Sequence, residues 1–526
     1  MSVILGFAPR SLPARLATIG CRHSQAKLAR QFPKRRTVTT QRSTGIKDFP
    51  LAYTWLTRTP DEITPDDILS SLSPIPGSLT PSNYVPILLI TPTFAHWVDT
   101  SSHGFLEQWI NRFYPSTNLD SAKPVHAIVA VVDKLPDHRV QYGEALDGIY
   151  TPESEGISLL LVKAEKIQGK VAAPRRVRSM EVTESSLVFA LQKSSQRPTH
   201  EIGLRLANTI FVNGNDNTLF GTRWVYTPSH VYALEKSFNL SNCKVTSAVT
   251  SVRDSFNLPL YPVGQRRRVI SSMGNILRQL AKHTDGKSTE PMPASSELEK
   301  ELPRYIEEHG IADRRVSVWA LIESSENGFQ VETDINPQES LARAVRTGGK
   351  LHRVMSGGGG WGKKQGLLSL DPETTFIDTD GGDGLSDLDG LLTVHEAHPV
   401  SDVPPPPPAF FDMPQLEDSL STLSQAAGPG DYVQFFVSVE PNHSPNPRPG
   451  DGRISFNFGI VSDSESVAQA TDRTQKDLVV VSQYFGALSE KAITYLQPVT
   501  GAETSGVQES SAKFDIPGCR VAVVLE

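Results

Sequence analysis

Ser356, Gly357, Gly358, Gly359, Gly360, Trp361, Gly362, Lys363 and Lys364 form the run of this chain that packing alone would not select. Four consecutive glycines bury no side chain and lose much backbone entropy on ordering. Such a run implies left-handed turns or a close backbone approach to something. Gly357, Gly362 and Lys363 fit the phosphate-cradling spacing G-x-x-x-x-G-K, but Lys364 stands where a Ser or Thr hydroxyl would hold Mg²⁺. The following Gln365–Leu370 is also too short and glycine-broken to be the helix that such a loop must enter. Two readings remain. Successive glycine N–H groups can form an anion-binding nest, charged by Lys363, Lys364 and Arg353. Alternatively, the run is a tight loop between strands Lys350–Met355 and Gly366–Leu370, with Trp361 anchored in the core.

Other chemistry-bearing residues fail on spacing. Asp378, Asp380, Asp383, Asp387 and Asp389 gather among glycines, yet Gly382 and Asp383 fall at the fifth and sixth places of an EF-hand loop and break its pattern. His395-Glu396-Ala397-His398 lacks one spacer of the helical zinc pair and precedes the Pro404–Pro408 run. Cys243 and Cys519 are the cysteines that follow Cys21, too few for a Cys-based zinc site or a disulfide framework. No Ser/His/Asp, Cys/His or paired-carboxylate arrangement is readable, so no catalytic residue, metal or cofactor is assigned.

The N-terminal segment differs in kind. Arg10, Arg15, Arg22, Lys27, Arg30, Lys34, Arg35, Arg36, Arg42 and Lys47 precede the first acidic residue, Asp48. This composition, rich in Ser, Thr, Leu and Ala, is that of a mitochondrial transit peptide, and it places the protein in the matrix. The chain holds 51 basic and 58 acidic residues; without those ten, 41 face 58, a formal charge of −17. A surface of that sign repels phosphate backbones, so nucleic acid is not the expected partner. No segment approaches the ~20 apolar residues that cross a bilayer.

The elements that would position these residues read as α/β. Thr64 or Asp66 caps a short helix, Tyr84–Ile90 and Val125–Val132 are buried-type strands, and Phe105–Phe113 between them is an amphipathic helix. A strand, helix, strand order implies a parallel pair. Gly156–Val162 and Leu187–Leu191 add strands, Glu201–Asn208 a short helix, and Asn208–Trp224 a hairpin around Asn213–Asn217. Gly264–His283, with Val269, Met273, Ile276 and Leu280 at helical spacing, predicts a basic helix facing the acidic helix that Ser296–Glu299 opens. From Tyr432 onward the chain is β-rich. The expected organisation is a leader (1–47), an α/β domain with a mixed sheet and crossover helices (48–260), a helical and glycine-rich segment (261–376), an acidic and proline-rich linker (377–430) and a β-rich C-terminal region (431–526).

The order LLITPTFAHW, helix, HAIVAVVD, then EGISLLLVKA, with Thr93-Phe94, Asp133 and Glu155-Gly156-Ile157-Ser158, resembles the N-terminal half of FIST domains over about residues 80–250. That resemblance implies a ligand-sensing module of the kind found in signalling proteins. Where the family often carries a glycine-rich turn after the second strand, this chain has Asp133-Lys134-Leu135-Pro136, so a shared ligand site is not carried over. The basic leader, NTIFVNGNDNTLFGTRW and SGGGGWGKKQG together are similar to a fungal mitochondrial family. The expected function is a non-catalytic ligand-binding or protein-interaction module supporting mitochondrial maintenance or gene expression, its partner a small anionic ligand or a protein. The alternative is an enzyme that binds an anionic or nucleotide substrate at Gly357–Gly362.

Overall fold

The computed structural model describes residues 51–75, 83–98, 104–114, 123–137, 153–172, 184–193, 198–249, 251–285, 287–311, 316–325, 337–357, 366–373, 375–376, 385–393, 425–438, 454–463, 477–499 and 509–525. The first elements are β1 (Ala52–Thr57), α1 (Pro65–Ser71), β2 (Tyr84–Ile90), α2 (Phe105–Phe113), β3 (Val125–Val131), β4 (Leu135–Pro136), β5 (Glu153–Lys163), β6 (Ile167–Val171), β7 (Ser186–Lys193), β8 (Pro198–Arg205), α3 (Ile210–Asn213), β9 (Leu219–Tyr226) and β10 (Tyr232–Val249). Then come β11 (Val252–Asn257), β12 (Leu260–Met273), β13 (Ile276–Ala281), β14 (Pro291–Pro293), α4 (Ser296–Glu308), β15 (Val318–Glu323), α5 (Pro337–Arg346), β16 (Lys350–Gly357) and β17 (Leu368–Leu370). The last are β18 (Ser386–Asp387), α6 (Leu388–Thr393), β19 (Tyr432–Ser438), β20 (Ser455–Ile460), β21 (Leu478–Ser482), β22 (Tyr484–Ser489), β23 (Ile493–Pro498), β24 (Glu509–Phe514) and β25 (Arg520–Leu525).

Helices and strands are mixed, as expected, but strands dominate. The largest sheet runs β21-β1-β5-β2-β3-β9-β10-β7-β8-β23-β24, and a second runs β11-β25-β20-β22. The third closes on itself: β12-β19-β15-β16-β17-β13 returns to β12, a six-stranded barrel with β14 on its side. β2 and β3 pair in parallel, and both are continuous apolar runs because both faces are covered. On one face α1 and α2 supply Ile68, Trp109 and Phe113, packed with Trp55 and Leu88. On the other, Ile87, Leu89, Ile128 and Ala130 meet Phe456, Phe458, Phe485 and Ala487 of the second sheet in one core. The strands after Tyr432 are dispersed: β19 closes the barrel, β21 edges β1, and β23 joins β8.

Three local expectations are corrected. Gly264–His283 is not a helix but the hairpin β12–β13, turned at Gly274-Asn275 with Gly274 at φ 58°. A two-residue glycine turn between β-branched runs outweighs an accidental helical spacing. Glu201–Asn208 lies largely in strand β8, because Ile202, Leu204 and Leu206 alternate into the core. The first arm of the expected Asn208–Trp224 hairpin is the helical turn α3, ended by left-handed Gly214, which leaves Phe211 exposed; the second arm is β9. The expected capping of α1 holds: Thr64 N–H donates to Asp67 Oδ2 at 2.8 Å.

β25 is hydrogen-bonded to both β11 and β20, and its Val521 and Val523 are fully buried. Removing residues 521–526 therefore strips two strands of their partner at once and exposes the shared core. The truncated protein is expected to lose cooperative unfolding, and an unchanged melting temperature would contradict this topology.

Candidate functional site

Of the glycine stretch, Arg353, Ser356 and Gly357 are described; Gly358, Gly359, Gly360, Trp361, Gly362, Lys363 and Lys364 lie outside the described residues. β16 and β17 pair antiparallel on either side, with Gly357 opposite Leu368, where a Cβ on Gly357 would stand 2.3 Å from a leucine methyl. Arg353 is engaged with the barrel wall, donating to Ser317 Oγ at 3.1 Å with its guanidinium 5.7 Å from the Trp319 ring. The His395–His398 pair, the Pro404–Pro408 run, and Asp378, Asp380 and Asp383 also fall outside the described residues.

The basic run is occupied within the barrel. Arg267 meets Glu297 of α4 at 2.8 Å and donates to the Ala281 and Lys282 carbonyls, so the expected complementarity with the acidic helix is made from a strand. Arg266 pairs Glu323 at 2.8 Å and stacks 4.1 Å from the Tyr432 ring centre.

A different cluster forms where the parallel pair β2–β3 ends. In open parallel α/β sheets the carboxyl ends of the strands are where loops diverge and ligands are received, and β2–β3 is one such parallel pair within a mostly antiparallel sheet. Thr91 follows β2 and is fully buried; its backbone N–H donates to Gly156 O at 3.1 Å, and its Oγ1 accepts the Gly156 N–H at 3.0 Å. Only glycine fits there: Gly156 has φ 153°, and a Cβ would lie 1.9 Å from Trp55 O. Lys134 and Leu488 are bridged through their backbones, the Leu488 N–H donating to Lys134 O at 2.8 Å. This brings the end of β22 against the end of β3.

Asp133 sits at that junction and is 8% exposed. Its Oδ2 accepts the Glu490 N–H at 2.8 Å. Among the described residues no cation forms an ion pair with it, and the Glu490 N–H is its hydrogen-bond donor. Lys134 is drawn instead to Glu155, whose Oε2 is buried with no partner, and Lys491 is drawn to Glu184 at 3.0 Å. Burial pushes the Asp133 carboxyl up to about 6, against the lowering effect of the Glu490 N–H and the two nearby lysines. A carboxylate so withdrawn from water and only partly compensated by its surroundings can accept a donor from outside, or take a proton near neutral pH.

From Lys491 an ionic chain leads away from the site. Glu184 also meets Arg205 at 3.5 Å, Arg205 meets Glu373, and Lys513 joins Glu373 at 2.6 Å to Asp371 at 2.7 Å. It ends on buried His352, whose Nδ1–H donates to Asp371 O at 2.8 Å.

Reasoning from sequence reached Asp133 and Gly156 through resemblance, and missed Thr91, Glu490 and Lys491. Glu490 contacts Asp133 across 357 residues, and no local pattern marks it. The raised carboxyl has a consequence for stability. The native state holds this proton up to about pH 6 and the unfolded chain only to about 4, so native stability falls as pH rises through that window, by up to ~3 kcal/mol. Asp133→Asn keeps an acceptor for the Glu490 N–H and removes the charge. It is expected to raise stability at pH 7.5 and to leave it unchanged below pH 4 in denaturant titrations; destabilisation at pH 7.5 would contradict the assignment. Comparison of the chain with protein-family models, curated proteins and solved structures returns no match.

Proposed function

We propose that this protein is a non-catalytic ligand-binding module of the mitochondrial matrix, with its ligand received at Asp133 where β2 and β3 end. One observation carries the reading: a carboxylate 8% exposed that has a single peptide N–H as its protein partner and no ion pair among the described residues. Leaving such a group unpaired costs native stability, so a partner supplied from outside is the simplest chemical use for it. The ligand must bring a positive charge or an N–H donor, since a purely anionic molecule would meet Asp133 as a like charge. This alters the expected ligand class while keeping the class of function. Support for the compartment comes from the basic, acid-free leader, and the sequence resemblance to FIST domains over about residues 80–250 is the support for a ligand-sensing role.

The second reading is an enzyme acting on an anionic or nucleotide substrate at Gly357–Gly362, favoured by the G-x-x-x-x-G-K spacing. It predicts nucleotide binding that is lost in Lys363→Ala/Lys364→Ala and untouched by Asp133→Asn.

Calorimetric titration at pH 7.5 with butylamine, an ammonium ion at that pH, separates the two. The binding-module reading expects saturable binding by the wild type and none by Asp133→Asn; equal heats from both proteins would refute it. For the compartment, residues 1–47 fused to a fluorescent reporter are expected to carry it into mitochondria, and a cytosolic reporter in respiring cells would remove that part of the proposal.

A further inference from the structure

The same four-strand unit occurs twice in this chain. In the first, β1, β2, β3 and β5 lie side by side as β1-β5-β2-β3, with β1–β5 and β5–β2 antiparallel and β2–β3 parallel. In the second, β11, β20, β22 and β25 lie as β11-β25-β20-β22 with the same senses in the same places. The registers coincide as well. Trp55 lies opposite Ile157, Ile157 opposite Ile90 and Ile90 opposite Val131; Asn257 lies opposite Arg520, Arg520 opposite Gly459 and Gly459 opposite Leu488. The barrel stands between the first two strands of the second unit, and Leu260, where it begins, is the register partner of Ser438, where it ends.

β21 is an addition to this plan. Where the first unit joins its parallel strands β2 and β3 through α2, the second joins β20 and β22 through β21, which pairs antiparallel with the outer edge of β1. Among the described residues β11, the counterpart of β1, has no such strand on its outer edge; Arg346 of α5 donates to the Asp254 carbonyl there at 3.4 Å. β21 therefore ends the largest sheet. Its peptide groups alternate in direction. The Gln483 N–H donates to Ala52 O at 2.8 Å, and on the other side of β1 the Leu161 N–H donates to Leu51 O at 2.7 Å. Val479 and Val481 thus turn their N–H and C=O groups toward β1, and Leu478, Val480 and Ser482 turn theirs away from it. Among the described residues none bonds those outward groups.

A row of unpaired peptide groups templates another strand, and proteins guard such edges with charge, proline or cover. The other strands that end a sheet or flank the barrel are guarded. β11 has Arg346 laid on it, β24 carries Glu509 and Lys513, and β14 begins and ends in proline. The edge of β22 lies against the first unit, where Leu488 and Lys134 exchange backbone hydrogen bonds. β21, Leu478-Val479-Val480-Val481-Ser482, has neither charge nor proline, and its valines are half-buried. We propose that β21 pairs antiparallel with β21 of a second copy of this chain, about a two-fold axis through Val480. The occupant follows from self-complementarity. This register sets Val480 opposite itself, Leu478 opposite Ser482 and Val479 opposite Val481, so each outward N–H meets an outward C=O. Valine facing valine across strands is a favourable pair. The flanking residues that the register places across from each other are Asp477 and Gln483, so two acidic chains meet without like charges opposed along the strand.

The test is sedimentation velocity on the full-length protein at micromolar concentration. The wild type is expected to sediment at twice the 57.5 kDa of one chain. Val480→Pro removes the donor on the axis and no bond to β1, a position where an edge strand accepts proline, and it is expected to sediment as the monomer. Val480→Cys changes little in size and places two thiols across the axis within disulfide reach. It is expected to give a cross-linked dimer on air oxidation beyond any that the wild type gives, whereas Val479→Cys, offset along the strand, is not. The cross-linking pair reads the register even where the proline variant fails to fold. A monomeric wild type would overturn the proposal. So would a dimer that survives Val480→Pro and cross-links equally from positions 479 and 480.

Discussion

Two sheets that share one core must also meet at their ends, and here they meet through the Glu490 peptide N–H and the Asp133 carboxylate. The contact joins the ends of β3 and β22, strands far apart in the chain. Its cost is electrostatic. A carboxylate withdrawn from water loses hydration that one peptide dipole only partly replaces, which is why its proton affinity rises. The surroundings reinforce the position. Gly156 permits a backbone approach that any Cβ would block, and buried Thr91 ties the end of β2 to the same strand. The result is an edge that holds a carboxyl group withdrawn from water.

Much of the first sheet was legible in the sequence. Tyr84–Ile90, Phe105–Phe113 and Val125–Val131 stand where apolar runs and helical periodicity put them, because a strand covered on both faces reads as a continuous apolar run whatever covers it. Gly264–His283 misled for a physical reason. Its apolar residues satisfy both helical spacing and two short strands, and the barrel supplies the partners that decide. Gly274-Asn275 was the available signal. In Glu201–Asn208 the alternation of Ile202, Leu204 and Leu206 was present, but β8 becomes a strand through β7 and β23, the latter nearly 300 residues away.

The repeated unit was not legible at all. Ile90 corresponds to Gly459, Trp55 to Asn257 and Ile157 to Arg520, so side chains at matched places differ in size and polarity, while backbone pairing is the same. The repeat lies here in hydrogen-bond register rather than in residue identity. The insertion of the barrel into one unit further hides it by separating β11 from β20 with some two hundred residues.

One carboxyl group, withdrawn from water and only partly compensated by the protein, is central to this site. Carbon-detected NMR of side-chain carboxyls, with the Asp133 signal assigned by its loss in Asp133→Asn, reads that directly over a pH titration. The account predicts a midpoint near 6 in the free protein, moving down when an amine occupies the site, since a bound cation favours the ionised form. A midpoint at or below 4 in the free protein would show that Asp133 is already compensated and would contradict the site proposed here.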